Sequence, residues 1–397
     1  MTARTILICD DEPEHGRRYR EQLVRIQAVV KAFGTANVKC LPLEETLGAL
    51  KGLQDRRARQ RDPDAAPVDL GPSPFDSAAV LVVDYDLFTP PSSAIVSGED
   101  VAYLARCFSQ CGYIIGVNQF GDAQFDLRLE AHLDSFADLN IGGSHLGKRG
   151  LWEQPWTGFR PWHWPLVPLQ VLALERRVRN VYANLGHRIL EYLGLTGDPV
   201  PPLPRGVTQF LAGAQDSQVT TFRSFVTDSG NGLRGKDKQQ DDRVLARVAA
   251  ARVAKWLERV VLGGQEILVD APHLISRFPS LAQKREIKAW NRACSFSPSK
   301  DLNLKQPLIE EFRFKQKNWL SREAWFWELI RQCEDIEEVR NPWDAERPSW
   351  VFCEDASRFH PRAKCRGFIA EVPSQFVQRF VRKHARTDYV PQVRFSL

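Results

Sequence analysis

The chain has 397 residues, of which 43% are hydrophobic, and a formal net charge of +5. That length suggests two or three domains, and that apolar content excludes a disordered chain. The basic residues are mostly Arg and are scattered, which excludes a polybasic nucleic-acid tail while permitting an acidic partner.

No run of about 18 apolar residues occurs, so no membrane-spanning helix is expected. Met1-Thr2-Ala3-Arg4 leads directly into a strand pattern, with no room for the apolar core of a signal peptide. A cytoplasmic location is expected. The cysteines are Cys9, Cys40, Cys107, Cys111, Cys294, Cys333, Cys353 and Cys365. Several fall in apolar runs or helical patterns, which favours reduced, packed thiols over a disulfide framework.

Thr5–Cys9 is a continuous apolar run, the pattern of a strand buried on both faces. It stops at Asp10-Asp11-Glu12-Pro13, and a proline at a first turn behind acidic residues suits a helix N-terminus. The spacing predicts a helix from Glu14 to Val30, a strand over Val38–Leu43 and a helix from Glu44 to Arg61. The Pro- and Asp-rich stretch Asp62–Asp76 reads as a loop. Ala79–Val83 is a second buried strand, closed by Asp84. A loop over Thr89–Gly98, a helix over Glu99–Gln110 and a strand over Tyr113–Val117 follow. Asp122–Leu133 reads as a helix and Phe136–Ile141 as a fifth strand. This alternation predicts an α/β, doubly wound parallel sheet over residues 1–147.

Residues 148–205 form a Trp/Pro-rich linker, with Trp152, Trp156, Trp162 and Trp164, and a long helix over Pro168–Leu195. The Pro-rich Gly197–Gly206 marks a boundary. Residues 206–397 read as a mostly helical α+β region. Helices are predicted over Asp241–Leu262, Ser321–Cys333 and Ser374–Arg386, and strand-like pieces over Ser349–Cys353 and Gly367–Val372.

Ligands of a doubly wound sheet bind outside the carboxyl ends of its strands. There the first strand delivers Asp10 and Asp11, and the third delivers Asp84. With a flavodoxin-type strand order these strands are neighbours and the carboxylates converge. Mg²⁺, which prefers hard oxygen ligands, would relieve their repulsion. A carboxylate beside it can accept a phosphoryl group.

The residues ILICDDE and VLVVDYD, set in this βα order, resemble the receiver domain of two-component response regulators over about residues 4–145. The resemblance implies that Asp10, Asp11 and the backbone carbonyl of Asp86 hold Mg²⁺, and that Asp84 is the phosphoacceptor. Two family positions depart. Asn118 stands where the family has a switch Thr or Ser, and Gly142 stands near the family lysine, with Lys148 a poorly spaced substitute. Both a signalling receiver and a pseudo-receiver that serves as a docking module follow from this pattern. The Asp84-x-Asp86 motif also resembles the nucleophile motif of haloacid-dehalogenase-type phosphatases, although there it closes the first strand.

Further along, Arg243, Arg247 and Lys255, with Arg252 and Arg259, give the 241–262 helix a basic face that can meet phosphates, or simply water. Trp325, Phe326 and Trp327 are adjacent and cannot share one helix face, which suggests a partner-binding surface at Trp325 and Trp327. Cys353, His360, Cys365 and His384 are loosely spaced for zinc. The function expected is a response-regulator-like regulatory protein with a protein-interaction output and a protein partner, kinase or complex subunit. This architecture also fits bacterial defence systems. The alternatives are a metal-dependent phosphohydrolase or nucleic-acid-acting effector, and a structural subunit of a complex.

Overall fold

A computed structural model of the chain describes residues 4–61, 71–85, 87, 97–118, 133–156, 158–198, 200–212, 216–228, 233, 241–282, 286–298, 302, 306–333, 350–369 and 378–383. The expected positions Asp86 and His384, most of the 89–98 loop and nearly all of the 122–133 helix lie outside the described residues.

Five strands form one all-parallel sheet: β1 (Thr5–Cys9), β2 (Val38–Leu41), β3 (Ala78–Asp84), β4 (Tyr113–Asn118) and β5 (Leu139–Gly142), in the order β2-β1-β3-β4-β5. Neighbouring residues of a strand point to opposite faces. Ile6, Ile8, Val80, Val82, Ile115 and Val117 therefore face one side, and Leu7, Cys9, Leu81, Val83 and Ile114 the other. Both sides are covered, which is why these strands read as unbroken apolar runs.

On the first side lie α1 (Pro13–Val24) and α2 (Gln27–Phe33). One helix was expected from Glu14 to Val30. The chain instead turns extended at Ile26, which is itself buried, so the two helices pack at separate angles. On the other side lie α3 (Leu43–Arg61) and α4 (Gly98–Phe108).

The stretch expected to be a linker is core. Trp152, Trp162 and Trp164 are buried, and Trp152 donates its indole N–H to the Leu146 carbonyl at 2.7 Å. It leads into α5 (Val167–Ala183), whose Val167 and Val171 join the first sheet face. The long helix expected to Leu195 breaks at Asn184, and α6 (Ile189–Leu193) resumes after a bridge between Arg188 and Thr221. Next come α7 (Arg205–Ala212), α8 (Phe222–Thr227) and α9 (Asp242–Trp256). Asp241 caps α9 through its side chain, and a π-helical turn, Leu257–Val261, extends it.

The rest is mixed α and β: β6 (Leu268–Asp270), α10 (Ala271–Arg277), α11 (Ile287–Ala293), α12 (Gln306–Phe312), β7 (Ala324–Phe326), α13 (Trp327–Arg331), and β8 to β11 (Trp350–Cys353, Arg358–Pro361, Cys365–Ile369, Gln378–Arg382). β6 pairs with β7, and the last four strands form a sheet in the order β10-β11-β8-β9. Two expected helices are corrected here. Within Ser321–Cys333 the chain pairs as a strand before its short helix, and Gln378–Arg382 is a strand with Phe380 and Val381 buried. One hydrophobic core runs without interruption from the α3/α4 side of the parallel sheet through α9 to Trp325 and Phe359. Among the described residues no helix is long and apolar enough to cross a membrane.

Candidate functional site

The register of the parallel sheet decides what meets at its carboxyl edge. Cys9 pairs with Leu41 on one side and Val83 on the other, so the residues that follow, Asp10 and Asp84, stand side by side. Asp10, Asp11 and Asp84 each offer a carboxylate oxygen, all within 4.8 Å of one another. Among the described residues this is the one group of three such side chains with metal-binding spacing. It is a set of hard oxygen donors and suits a divalent cation such as Mg²⁺.

The local chain aims these groups. Pro13 starts α1, and the Glu12 backbone N–H donates to Asp10 Oδ1 at 2.9 Å. The other oxygen, Asp10 Oδ2, is buried and finds no hydrogen-bond partner among the described residues. Burial pushes the Asp10 carboxyl above its ordinary value, with Asp11 and Glu12 adding to the rise, while the Glu12 N–H and His15 oppose it. A carboxylate in that state gains from a cation.

A residue the sequence reading passed over completes the pocket. Tyr19 of α1 is 1% exposed, and its Oη has no hydrogen-bond partner among the described residues. Burial, then Asp10 and Asp84, raise its pKa, while the Arg18 guanidinium opposes the rise. A Cβ at Gly143, just past β5, would lie 2.5 Å from Tyr19 Oη. Gly143 thus makes room for a phenol just past the strand end where a lysine was expected. Lys148 is exposed, at the start of a later turn. Asn118, at the switch position, is half-buried at the end of β4, one residue beyond the Val117 that pairs with Asp84.

The floor of the pocket leans on α4. The Gly98 N–H donates to the Tyr85 carbonyl at 2.8 Å, and a Cβ at Gly98 would overlap the Asp84 carbonyl oxygen. At its far end α4 meets α9. Arg247 donates to the carbonyls of Ser109 and Arg106 and, at 2.8 Å, to Gln110 Oε1. Lys255 donates to the carbonyls of Ser135, at 2.6 Å, and Ala137, and Arg252 to that of Asp134 at 3.0 Å.

Those contacts correct the expectation of a phosphate-binding face. Arg247 and Lys255 are buried and committed to backbone carbonyls just before β4 and β5, and only Arg243 is exposed. Burial lowers the Lys255 pKa to about 7, with Arg252 contributing. Trp325 and Trp327 are buried as well, so they offer no surface to a partner. Strand pairing of Trp325 with Val269 and an indole N–H bond from Trp327 to the Glu266 carbonyl explain why three adjacent aromatics can be accommodated. Cys353 and Cys365 approach to 3.2 Å between sulfurs, but His360 does not join them in a three-ligand group. All eight cysteines are free thiols.

The geometry defines a doubly wound sheet with an acidic, cation-competent pocket at its carboxyl edge. No protein-family model matches the chain, and no curated protein or solved structure matches it either.

Proposed function

We propose that the chain is a response-regulator-like signalling protein. In this reading a receiver-like sheet carries a Mg²⁺-dependent phosphoacceptor site, and the region beyond it is a protein-interaction output. The observation that carries the reading is the convergence of Asp10, Asp11 and Asp84 within 4.8 Å, with one buried carboxylate oxygen of Asp10 left without a partner among the described residues. Asp10 and Asp11 would hold Mg²⁺, which when bound would offset the charge of three carboxylates and an incoming phosphoryl group. An oxygen of Asp84 bonds to phosphorus as the donor's bond to phosphorus breaks, leaving an acyl phosphate.

The output reading is supported by α4. Its first residue abuts the backbone of Asp84, and its last turn is held by Arg247 of α9. A displacement at the pocket floor therefore meets a helix that is anchored in the rest of the molecule.

The test is a titration of the full chain with Mg²⁺ and beryllofluoride, a mimic of the acyl phosphate, followed by Trp fluorescence. Trp152 and Trp164 share a core with Tyr19 and report from beside the pocket. A saturable change in the native chain that is lost in Asp84→Asn is the expected result. No change in either protein sinks the phosphoacceptor reading and leaves a docking module.

A further inference from the structure

We infer that Tyr19 is the hydrogen-bond donor that receives the phosphoryl oxygens at this pocket. The inference rests on the reading of Asp84 as a phosphoacceptor and names a specificity-determining residue for it.

Three observations converge. Tyr19 is almost fully buried, yet its Oη makes no hydrogen bond among the described residues. A buried hydroxyl left in that state is costly, so it marks a site completed by something else. The hydroxyl sits against Gly143, where any side chain would displace it, so the end of β5 is shaped around it. A Cβ at Gly143 would also lie 3.7 Å from Val117, the residue of β4 that pairs with Asp84, so the hydroxyl stands at the sheet edge where a phosphoryl group would arrive. An ordinary phenol carries its proton at neutral pH, so it donates.

A phenol differs from an ammonium in what it selects. It adds no charge, so charge neutralisation falls to the cation held by Asp10 and Asp11. It is also a rigid donor, its ring buried in the same hydrophobic core as Leu23 and Ile141. The pocket should therefore accept a compact oxyanion or fluoride group only together with a divalent cation.

Beryllofluoride binding to the full chain in saturating Mg²⁺ tests this, with Tyr19→Phe as the variant. Phe keeps the ring and removes only Oη. Loss of one hydrogen bond to a charged acceptor predicts about tenfold weaker beryllofluoride binding, with the affinity for Mg²⁺ alone unchanged. Gly143→Ala, which pushes Oη aside, should weaken beryllofluoride binding similarly and add nothing in the Tyr19→Phe background. Equal beryllofluoride affinity in the native chain and Tyr19→Phe overturns the role of Tyr19 and leaves the phosphoacceptor reading standing. No binding by the native chain overturns both.

Discussion

The two ends of α4 present opposite treatments of polar groups. At the pocket end, Asp10 Oδ2 and Tyr19 Oη are buried and lack hydrogen-bond partners among the described residues. At the α9 end, Arg247 is equally buried and donates to three acceptors of the neighbouring layer, and Lys255, further along α9, donates to two carbonyls before β5. A polar group buried against a partner adds to stability, while one buried without a partner subtracts from it. The difference separates a seam that holds the molecule together from a site that waits for a ligand. It also explains why the basic residues of α9 do not line up as an exposed phosphate-binding face. Its cations are used to satisfy carbonyls far away in sequence.

The largest effect is expected where the two ends are joined. Gly98→Ala puts a methyl group into the backbone of Asp84 and Tyr85, where no flexible side chain can yield. Overpacking typically costs about 1–3 kcal/mol, and a clash with backbone that cannot yield takes this one beyond that range, to about 5 kcal/mol. Urea denaturation should show that loss, and the beryllofluoride response should fall with it. A variant of native stability and native response would separate α4 from the pocket.

Arg247→Ala comes next. It leaves the Ser109 carbonyl and Gln110 without their donor and removes packing against α4. Loss of such hydrogen bonds is worth about 2–4 kcal/mol. Because the pocket does not use Arg247, Mg²⁺ affinity should hold while the stability measured by denaturation falls. A drop in Mg²⁺ affinity as large as the drop in stability would mean that seam and site are not separable.

The sequence announced one of these regions and concealed the other. Asp10, Asp11 and Asp84 were legible because each ends or follows an apolar run, and a parallel sheet carries strand ends to a common edge. The buried strands were legible for the same reason: residues facing both layers must all be apolar. Tyr19 was not legible, because at helical spacing it reads as one more core residue. Only the position of Gly143 gives its hydroxyl a purpose. The α9 cations misled because their partners, the carbonyls around Ser109 and Ser135, lie more than a hundred residues away and carry no side-chain signal. Ala324–Phe326 and Gln378–Arg382 misled in the same manner. Each is a strand only because a distant strand pairs with it. The break at Ile26 was hidden because a buried residue fits the helical spacing on either side.

The smallest effect, and the one that sharpens the contrast most, belongs to Asp10→Asn. Burial raises the pKa of Asp10 in the folded chain above its ordinary value of 3.8. A group raised in this way gives its stabilisation in full below the unfolded value and loses it as pH rises through the folded one. At neutral pH the ionised Asp10 is therefore a burden on the metal-free protein. Asn keeps an oxygen for the Glu12 N–H and removes the charge, so the metal-free variant should melt a few degrees higher than the native chain at pH 7. The advantage should shrink on going from pH 7 to an acidic pH, as native Asp10 takes up its proton. Mg²⁺ should reverse the order, raising the melting temperature of the native chain and leaving Asp10→Asn nearly unmoved. Thermal melts with and without Mg²⁺ at the two pH values decide the matter. A metal-free variant less stable than the native chain at pH 7 would show that Asp10 is already satisfied, as Arg247 is, and that the pocket belongs with the seam.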